Sequence, residues 1–128
     1  MRLGVCADLT SAPALAAAGF QFIELNVQAH LKPQEKEEVF APILEKILAS
    51  PLPAEAANCF VPGTLKITGP EASLAKLRDY VVVAVDRAKR AGIRTIVFGS
   101  GGARQIPEGF DRDTAWKQLI EFGEMAGP

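Results

Sequence analysis

Four strand-like segments alternate with four helix-like segments along this 128-residue chain, and that alternation constrains the fold more than any other feature. Strands that alternate with helices pair in parallel through right-handed crossovers. Short apolar strands suit a parallel sheet that helices cover. The segments are RLGVCA (2–7), QFIELNV (21–27), AEAANCFV (54–61) and RTIVFG (94–99). The pattern predicts an α/β fold, either a small open sheet or four units of a (βα)8 barrel, which takes about 250 residues when complete.

Boundary residues predict where the helices lie. Ser11 is a possible cap of the first helix, and Pro42 can start the second as a first-turn proline. The third helix, from Pro70 to Gly92, has the clearest apolar face, and Asp111 can cap the last helix. No linker or low-complexity tract interrupts the pattern, so we expect a single domain over residues 1–128.

Composition and charge exclude several classes of protein. Hydrophobic residues make up 48% of the chain and charged residues 23%, which is typical of a soluble globular domain. The net charge of −1 leaves no basic excess to neutralise phosphates, so we expect no nucleic-acid partner. No apolar run reaches the roughly 18 residues of a membrane span, and the N-terminus lacks a signal-peptide core. We therefore expect a cytoplasmic protein with no membrane partner.

Cysteine and histidine are too few to predict a metal or disulfide framework. The chain has two cysteines, Cys6 and Cys59, which we expect to be reduced thiols in or near the core. Its one histidine, His30, lies in a polar stretch and is expected at the surface. No nucleophile–base pair, and no three- or four-ligand metal cluster, can be assembled from these residues. The sequence therefore contains no complete active site, and we expect no metal in this chain.

A glycine-rich stretch, VFGSGGARQIPEGF (97–110), follows the fourth strand. It lacks the spacing of a dinucleotide fingerprint and the Gly-Lys-Ser/Thr of a phosphate-binding P-loop. Carboxyl ends of parallel strands hold ligands in both sheets and barrels, so Ser100 and the backbone N–H groups of Gly101 and Gly102 could line a ligand face. Arg104 would then contact an anion or a neighbouring carboxylate. The alternative is a tight turn in which Arg104 bridges to a nearby loop.

Polar residues at the ends of other strands are further candidates. Glu24 lies between Ile and Leu in the second strand, where a carboxylate is costly unless it is paired or faces a polar cavity. It is the strongest single candidate, with a buried pair to an arginine as the alternative. Asn26 shares its side of the strand by the two-residue period, and Asn58 ends the third strand. Asp8 ends the first strand and could bind a ligand or cap the first helix.

Three segments together resemble a known family: GVCADLTSAPALAAAGFQFIELNV (4–27), NCFVPGTLKITGP (58–70) and VFGSGGARQIPEGF (97–110). They look like the N-terminal half of the xylose isomerase-like TIM barrels, and most like the sugar phosphate isomerase/epimerase group. The likeness covers essentially the whole chain and is most specific in the second and third segments. It implies a (βα)8 fold in which a divalent metal (Mn, Mg, Co or Zn) assists proton transfer next to the carbonyl of a sugar or sugar phosphate.

The resemblance also implies which residues bind substrate. The matching positions line the mouth of the barrel: Glu24, Asn58, Ser100, Gly101, Gly102 and Arg104. The metal ligands of the family, two Glu with an Asp and a His, come mainly from strands five to eight and have no counterpart here. We therefore expect a half-barrel that is inactive alone, or a non-catalytic half-barrel that binds a small sugar or anion. AP endonucleases share this barrel, but the single histidine argues against that activity.

A half-barrel has one structural consequence. Its first and fourth strands have unpaired edges, and such edges aggregate unless they are covered. The chain is therefore expected to form a homo-oligomer, namely a homodimer, either by pairing of these strand edges into a closed or sandwiched sheet or by swapped elements.

Overall fold

Four parallel strands form one sheet in the computed structural model, which describes residues 1–127. The strands are β1 (Gly4–Cys6), β2 (Phe22–Asn26), β3 (Ala54–Asn58) and β4 (Thr95–Ile96). They lie in the order β1-β2-β3-β4, the same as their order in the chain, and every neighbouring pair is parallel. The predicted α/β fold with a parallel sheet is confirmed. β4 is shorter than its apolar segment, since only two of its residues pair with β3.

Four helices follow the strands. They are α1 (Ala12–Ala17), α2 (Glu37–Leu48), α3 (Leu74–Arg90) and α4 (Arg112–Ala126). Asp111 caps α4 as predicted, because its carboxylate accepts a hydrogen bond from the backbone N–H of Thr114 at 2.8 Å. Within residues 1–127, no helix is both long enough and apolar enough to cross a membrane.

The predicted start of α1 is confirmed, and that of α2 is wrong. Ser11 lies at the N-cap position of α1, although its side chain makes no capping hydrogen bond, and Asp8 caps a short 3₁₀ turn, Leu9–Ser11, that precedes the helix. α2 begins at Glu37, so that Pro42 lies inside the helix. Acidic residues in the first turn favour this earlier start because they interact with the positive end of the helix dipole. Pro42 lies in the middle of α2 and does not mark its beginning.

α3 begins four residues later than its proline suggests. The first helical residue is Leu74, and Ser73 is the cap, with its hydroxyl accepting from the backbone N–H of Lys76 at 3.5 Å. Pro70 therefore belongs to the irregular segment 59–73 that joins β3 to α3. This long connection lies next to the glycine-rich loop, as described below.

One face of the sheet packs against the helices, and we call it the covered face. Ile23, Leu25 and Ala57 point to this side and have no exposed surface. They share one apolar core with residues from all four helices, among them Ala12, Phe40, Leu77 and Phe122. Burial of these side chains is the main favourable term in the stability of the fold.

The opposite face of the sheet, which we call the open face, carries polar side chains. Its residues alternate with those of the covered face and include Cys6, Phe22, Glu24, Asn58 and Thr95. Phe22, Glu24 and Asn58 are half-buried, and Cys6 and Thr95 are exposed. Because the strand order never reverses, right-handed crossovers place every connecting helix on the covered face and leave the open face to the strands alone.

A buried arginine joins α3 to the segment that follows β2. Arg87 is only 4% exposed, and its guanidinium donates to the backbone carbonyls of Leu31 and Glu35 at 2.9 Å each, and to that of Lys32. The guanidinium also lies 4.7 Å from the centre of the Phe40 ring. Arg87 therefore fixes the backbone just beyond the carboxyl end of β2.

Candidate functional site at the carboxyl ends of the strands

One amide side chain connects the first three strands. The Asn58 Nδ2 atom donates to Glu24 Oε1 at 2.8 Å and lies 2.9 Å from Cys6 Sγ. Cys6 and Glu24 are direct partners in the pairing of β1 with β2. Two predicted substrate-binding residues, Glu24 and Asn58, are thus in contact. The alternative of an arginine partner for Glu24 is wrong within the described residues, because an amide satisfies the carboxylate instead.

A carboxylate and an imidazole meet beside this cluster. Asp8 Oδ1 accepts from the backbone N–H and the hydroxyl of Thr10, at 3.0 and 2.6 Å, and Asp8 Oδ2 lies 3.4 Å from His30 Nε2. The Thr10 hydrogen bonds lower the pKa of Asp8, and nearby His30 adds a smaller effect in the same direction. Asp8 therefore serves in the turn and capping, as one of its two interpretations predicted. Its second oxygen faces His30.

His30 is buried, so its predicted position at the surface is wrong. The residue is 7% exposed and belongs to a π-helical turn, Val27–Leu31. Asn26 Oδ1 accepts from the backbone N–H of Ala29 at 2.9 Å and starts this turn, while Asn26 O lies 3.2 Å from His30 Nδ1. Both nitrogens of the imidazole thus have polar neighbours. A helical turn directly after a strand turns His30 back toward the strand ends.

The glycine-rich loop is held against the long segment that precedes α3. Ser100 Oγ accepts from the backbone N–H of Val61 at 2.9 Å, and Lys66 Nζ donates to Gly102 O at 3.0 Å. A Cβ on Gly102 would lie 3.3 Å from Gly63 Cα, so close backbone approach explains this glycine. Ser100 and Gly102, both predicted to bind substrate, therefore have structural contacts that join two loops at the carboxyl end of β4.

Arg104 bonds to its own loop. Its Nε donates to Gly99 O at 2.7 Å, and its guanidinium carbon lies 5.9 Å from the centre of the Phe98 ring. Among residues 1–127 it pairs with no carboxylate, and it makes no bridge to a nearby loop. Arg104 is exposed, and a Cβ built at Gly101 of the same loop would meet nothing within 4 Å. An anion could reach Arg104 there.

Both cysteines are free thiols, but they are exposed rather than in or near the core as expected. Cys6 ends β1 on the open face, and Cys59 lies one residue past β3. Cys59 has a left-handed backbone conformation with φ of 53°, and its carbonyl accepts from Gln28 Nε2 at 2.8 Å. The exposure follows from the alternation of the strands, which turns Cys6 away from the helices.

These groups are suited to bind polar molecules. Glu24 and Asn58 offer an acceptor and a donor on the open face, and Arg104 offers a cation on the loop after β4. No hydrogen bond within residues 1–127 joins the glycine-rich loop to the Glu24–Asn58 pair, so the predicted set forms two neighbouring groups. No cluster of three or more His, Cys, Asp or Glu side chains in that range could hold a metal ion. The residues therefore do not fit the divalent metal that the resemblance implies.

Comparison with protein-family models and with curated proteins finds no match for the chain.

Proposed function

We propose that the chain is the N-terminal half of a xylose isomerase-like TIM barrel of the sugar phosphate isomerase/epimerase group. In this proposal it forms the substrate-binding side of the mouth. The proton transfer next to the carbonyl, and the metal that assists it, depend on groups outside these residues. The chain alone then binds a sugar phosphate without converting it.

The strand order supports the barrel. In doubly wound sheets the order of strands reverses at a switch point, and helices cover both faces. In a TIM barrel consecutive strands pair in sequence and all helices lie outside. The order β1-β2-β3-β4, without reversal and with a single core on the covered face, follows the second pattern. The open face would then point to the interior of the barrel.

The observation that carries the functional part is the pair of Glu24 and Asn58 on the open face. Asn58 is the last residue of β3, and Glu24 lies in the middle of β2 opposite Cys6, the last residue of β1. The pair is thus close to the end of the sheet where TIM barrels bind substrate. A half-buried carboxylate and amide suit the hydroxyl groups of a sugar, which both donate and accept hydrogen bonds. Arg104, on the loop after β4, suits a phosphate.

Binding is tested by NMR titration of the labelled chain with a pentulose 5-phosphate and, separately, with inorganic phosphate. Saturable shifts are expected at Asn58 and in the loop 99–104, with tighter binding of the sugar phosphate. Arg104→Ala should abolish binding of both probes. Arg78→Ala removes an arginine that is exposed on α3, far along the chain from this loop, and should leave binding unchanged. Equal titration curves for the Arg104 variant and the parent chain would contradict the proposal.

A second function, a non-catalytic module that binds a small anion, is favoured by Arg104, an exposed cation on the loop after β4 that pairs with no carboxylate among residues 1–127. The two functions differ in what the open face recognises. If the site recognises the hydroxyl groups of the sugar, Asn58→Ala should lower the affinity for the pentulose phosphate until it equals the affinity for inorganic phosphate. A module that binds only the anion would bind the pentulose phosphate and inorganic phosphate with equal affinity, both in the parent chain and in Asn58→Ala. EDTA would not change either affinity. Incorporation of solvent deuterium next to the carbonyl would show that the chain itself catalyses proton transfer.

A further inference from the structure

We infer that two copies of this chain associate by pairing β4 of each copy with β1 of the other, which closes an eight-stranded parallel barrel. The inference concerns residues 1–128 by themselves, without a ligand and without the second half-barrel that the proposed function places outside these residues, so it can hold or fail independently of sugar-phosphate binding.

An apolar groove runs along the unpaired edge of β4. Its volume is about 550 Å³, and it lies between α3, β4 and α4. Three aromatic rings contribute to it: the Phe98 and Phe122 rings are 5.2 Å apart, and Phe60 stands 6.5 Å from Phe98. Phe98 is 41% exposed, and the neighbouring Val97 is 45% exposed. The groove therefore leaves apolar side chains of α3, β4 and α4 uncovered at the edge where one more strand could pair.

The opposite edge of the same sheet carries matching side chains. Val5 pairs with Ile23, which faces the helices, so Val5 points to the covered side of the sheet, and Leu3 shares that side by the two-residue period. Leu3 is 54% exposed, and Val5 is half-buried. A β1 strand laid beside β4 in the parallel direction brings these two apolar side chains into the layer that contains the groove.

Two-fold symmetry makes both contacts at once. If β1 of one copy pairs with β4 of its partner, the rotation that relates the copies places the partner's β1 beside the first β4. No strand edge then remains unpaired, which removes the liability of exposed backbone donors and acceptors. The direction of the strands is kept, so the carboxyl ends from both copies surround one mouth.

The open face is suited to become the interior of such a barrel, because Arg2 and Glu55 form an ion pair and Glu24 has a hydrogen-bond partner. Arg2 donates to both carboxylate oxygens of Glu55 at 2.7 Å each, across the Phe22 ring, and Glu24 accepts from Asn58. Enclosing an unpaired charge would be costly, whereas a bidentate pair is far easier to enclose. Each copy contributes one such set, so the mouth of the barrel would hold two Glu24–Asn58 pairs.

A second copy is the occupant that fits this groove, because the chain itself provides the complementary edge. That edge has the required strand direction, and its apolar side chains lie on the required side. The parallel direction matters, since it allows two identical contacts to close a ring. One additional strand from an unrelated partner would cover β4 and leave β1 unpaired.

The mass of the 128-residue chain is measured by sedimentation velocity between 1 and 100 µM, concentrations chosen to span the usual range of dimer affinities. We expect a species of twice the chain mass of 13.7 kDa. Leu3→Glu should shift the equilibrium toward monomer by at least tenfold, and Phe98→Ser should do the same by removing a ring from the groove. Leu48→Glu introduces the same charge at a leucine of α2 that is 64% exposed, and should leave the dimer intact.

Folding of each variant is checked by circular dichroism and by dispersion of the amide NMR spectrum. Leu3 lies before β1 and outside the main core, so Leu3→Glu should fold normally. It therefore tests the interface even if Phe98→Ser fails to fold. A folded parent chain that stays monomeric at 100 µM would overturn the inference. So would a dimer that Leu3→Glu weakens no more than Leu48→Glu, because such a dimer would form through another surface, for instance the open faces.

Discussion

The two faces of the sheet are stabilised in different ways. On the covered face, Ile23 and Leu25 have no exposed surface and pack against the helices. On the open face, the alternate residue Glu24 is half-buried and is held by a hydrogen bond from Asn58. One short strand, β2, therefore contributes apolar burial on one side and polar pairing on the other.

This difference is unusual for a parallel sheet. Such sheets are commonly covered on both faces, and their strands read as continuous apolar runs. Here the covered face carries the hydrophobic stabilisation, while the open face keeps carboxylate, amide and thiol groups at defined positions. The open face is thus free to bind a ligand or to line the interior of a barrel, at little cost to the stability of the fold.

The contrast between the two faces is tested most strongly by substituting one residue on each face. Leu25→Ala should lower the free energy of unfolding by about 2–5 kcal/mol, because it leaves a cavity in the core. Glu24→Gln keeps the oxygen that Asn58 donates to, and should change stability by less than about 0.5 kcal/mol. Urea denaturation of both variants measures the difference. Similar losses for the two would show that the faces contribute equally and that the contrast is wrong.

Arg87 is an exception to the contrast, since it is a charged side chain on the covered side. Arg87→Met should lower the free energy of unfolding by about 2–4 kcal/mol, because it leaves the carbonyls of Leu31 and Glu35 without their donor. Lysine lacks the planar fork and should not restore the loss. Arg90→Met offers a matched control, as Arg90 is 37% exposed and pairs at the surface with Glu37.

Thermal or urea unfolding checks this expectation, with a much smaller loss for the Arg90 variant because surface ion pairs contribute little. An Arg87 variant as stable as the Arg90 variant would mean that the segment after β2 is held by its own turn. Apolar contacts alone, without the hydrogen bonds of Arg87, would then stabilise the covered side.

Local patterns were sufficient to predict the strands and one part of the site. The two-residue period placed Glu24 and Asn26 on the same side of β2, and both are partly exposed there, as the pattern requires. The same period applied to β3 places Asn58 on that side. The contact between Glu24 and Asn58 was not predicted as a bond, because it depends on the register of two strands 34 residues apart.

Other features depend on contacts between distant segments, and the sequence did not indicate them. A polar stretch predicted an exposed His30, but the buried residues Val27 and Leu31 on either side of it fold that stretch into a turn. Their four-residue spacing is a helical pattern and could have indicated the turn. The contacts of Ser100 with Val61 join segments 39 residues apart, so no local pattern could have revealed them.

Gly4 tests how closely the open face is packed at its amino end. A Cβ at Gly4 would lie 2.1 Å from the Phe22 ring, so Gly4→Ala forces the ring away from its place beneath the Arg2 guanidinium. We expect a loss of about 1–3 kcal/mol, typical of overpacking. Gly99→Ala is the control, since its Cβ would meet nothing within 4 Å.

Unfolding of the double variant Gly4→Ala, Phe22→Leu then identifies the cause. If the ring is the obstacle, the two substitutions are less than additive, because the smaller side chain leaves room for the new methyl group. Additive losses, or a Gly4 variant as stable as the Gly99 variant, would show that the open face is loosely packed. Its polar groups would then be less well positioned than the hydrogen bonds suggest.

The smallest expected effect concerns acid sensitivity at the carboxyl end of the open face. Hydrogen bonds from Thr10, with a lesser contribution from His30, lower the pKa of Asp8. Folding therefore favours the ionised carboxylate, so its contribution is present above the ordinary aspartate pKa of about 4 and is lost as the pH falls below it. Asp8→Asn should flatten this decline slightly, because the side chain is 61% exposed and solvent screens its charge.

Asparagine caps a helical turn nearly as well as aspartate, so Asp8→Asn isolates the charge from the hydrogen bond. Asp111 provides the comparison, since hydrogen bonds from Thr114 lower its pKa in the same way at the start of α4, with no histidine beside it. Melting temperatures from pH 7 to pH 2 measure both variants. If Asp8→Asn changes the dependence of the melting temperature on pH no more than Asp111→Asn does, His30 adds nothing to the effect of the capping hydrogen bonds. A larger change for Asp8 would show that its contact with the buried imidazole couples the ends of β1 and β2 electrostatically.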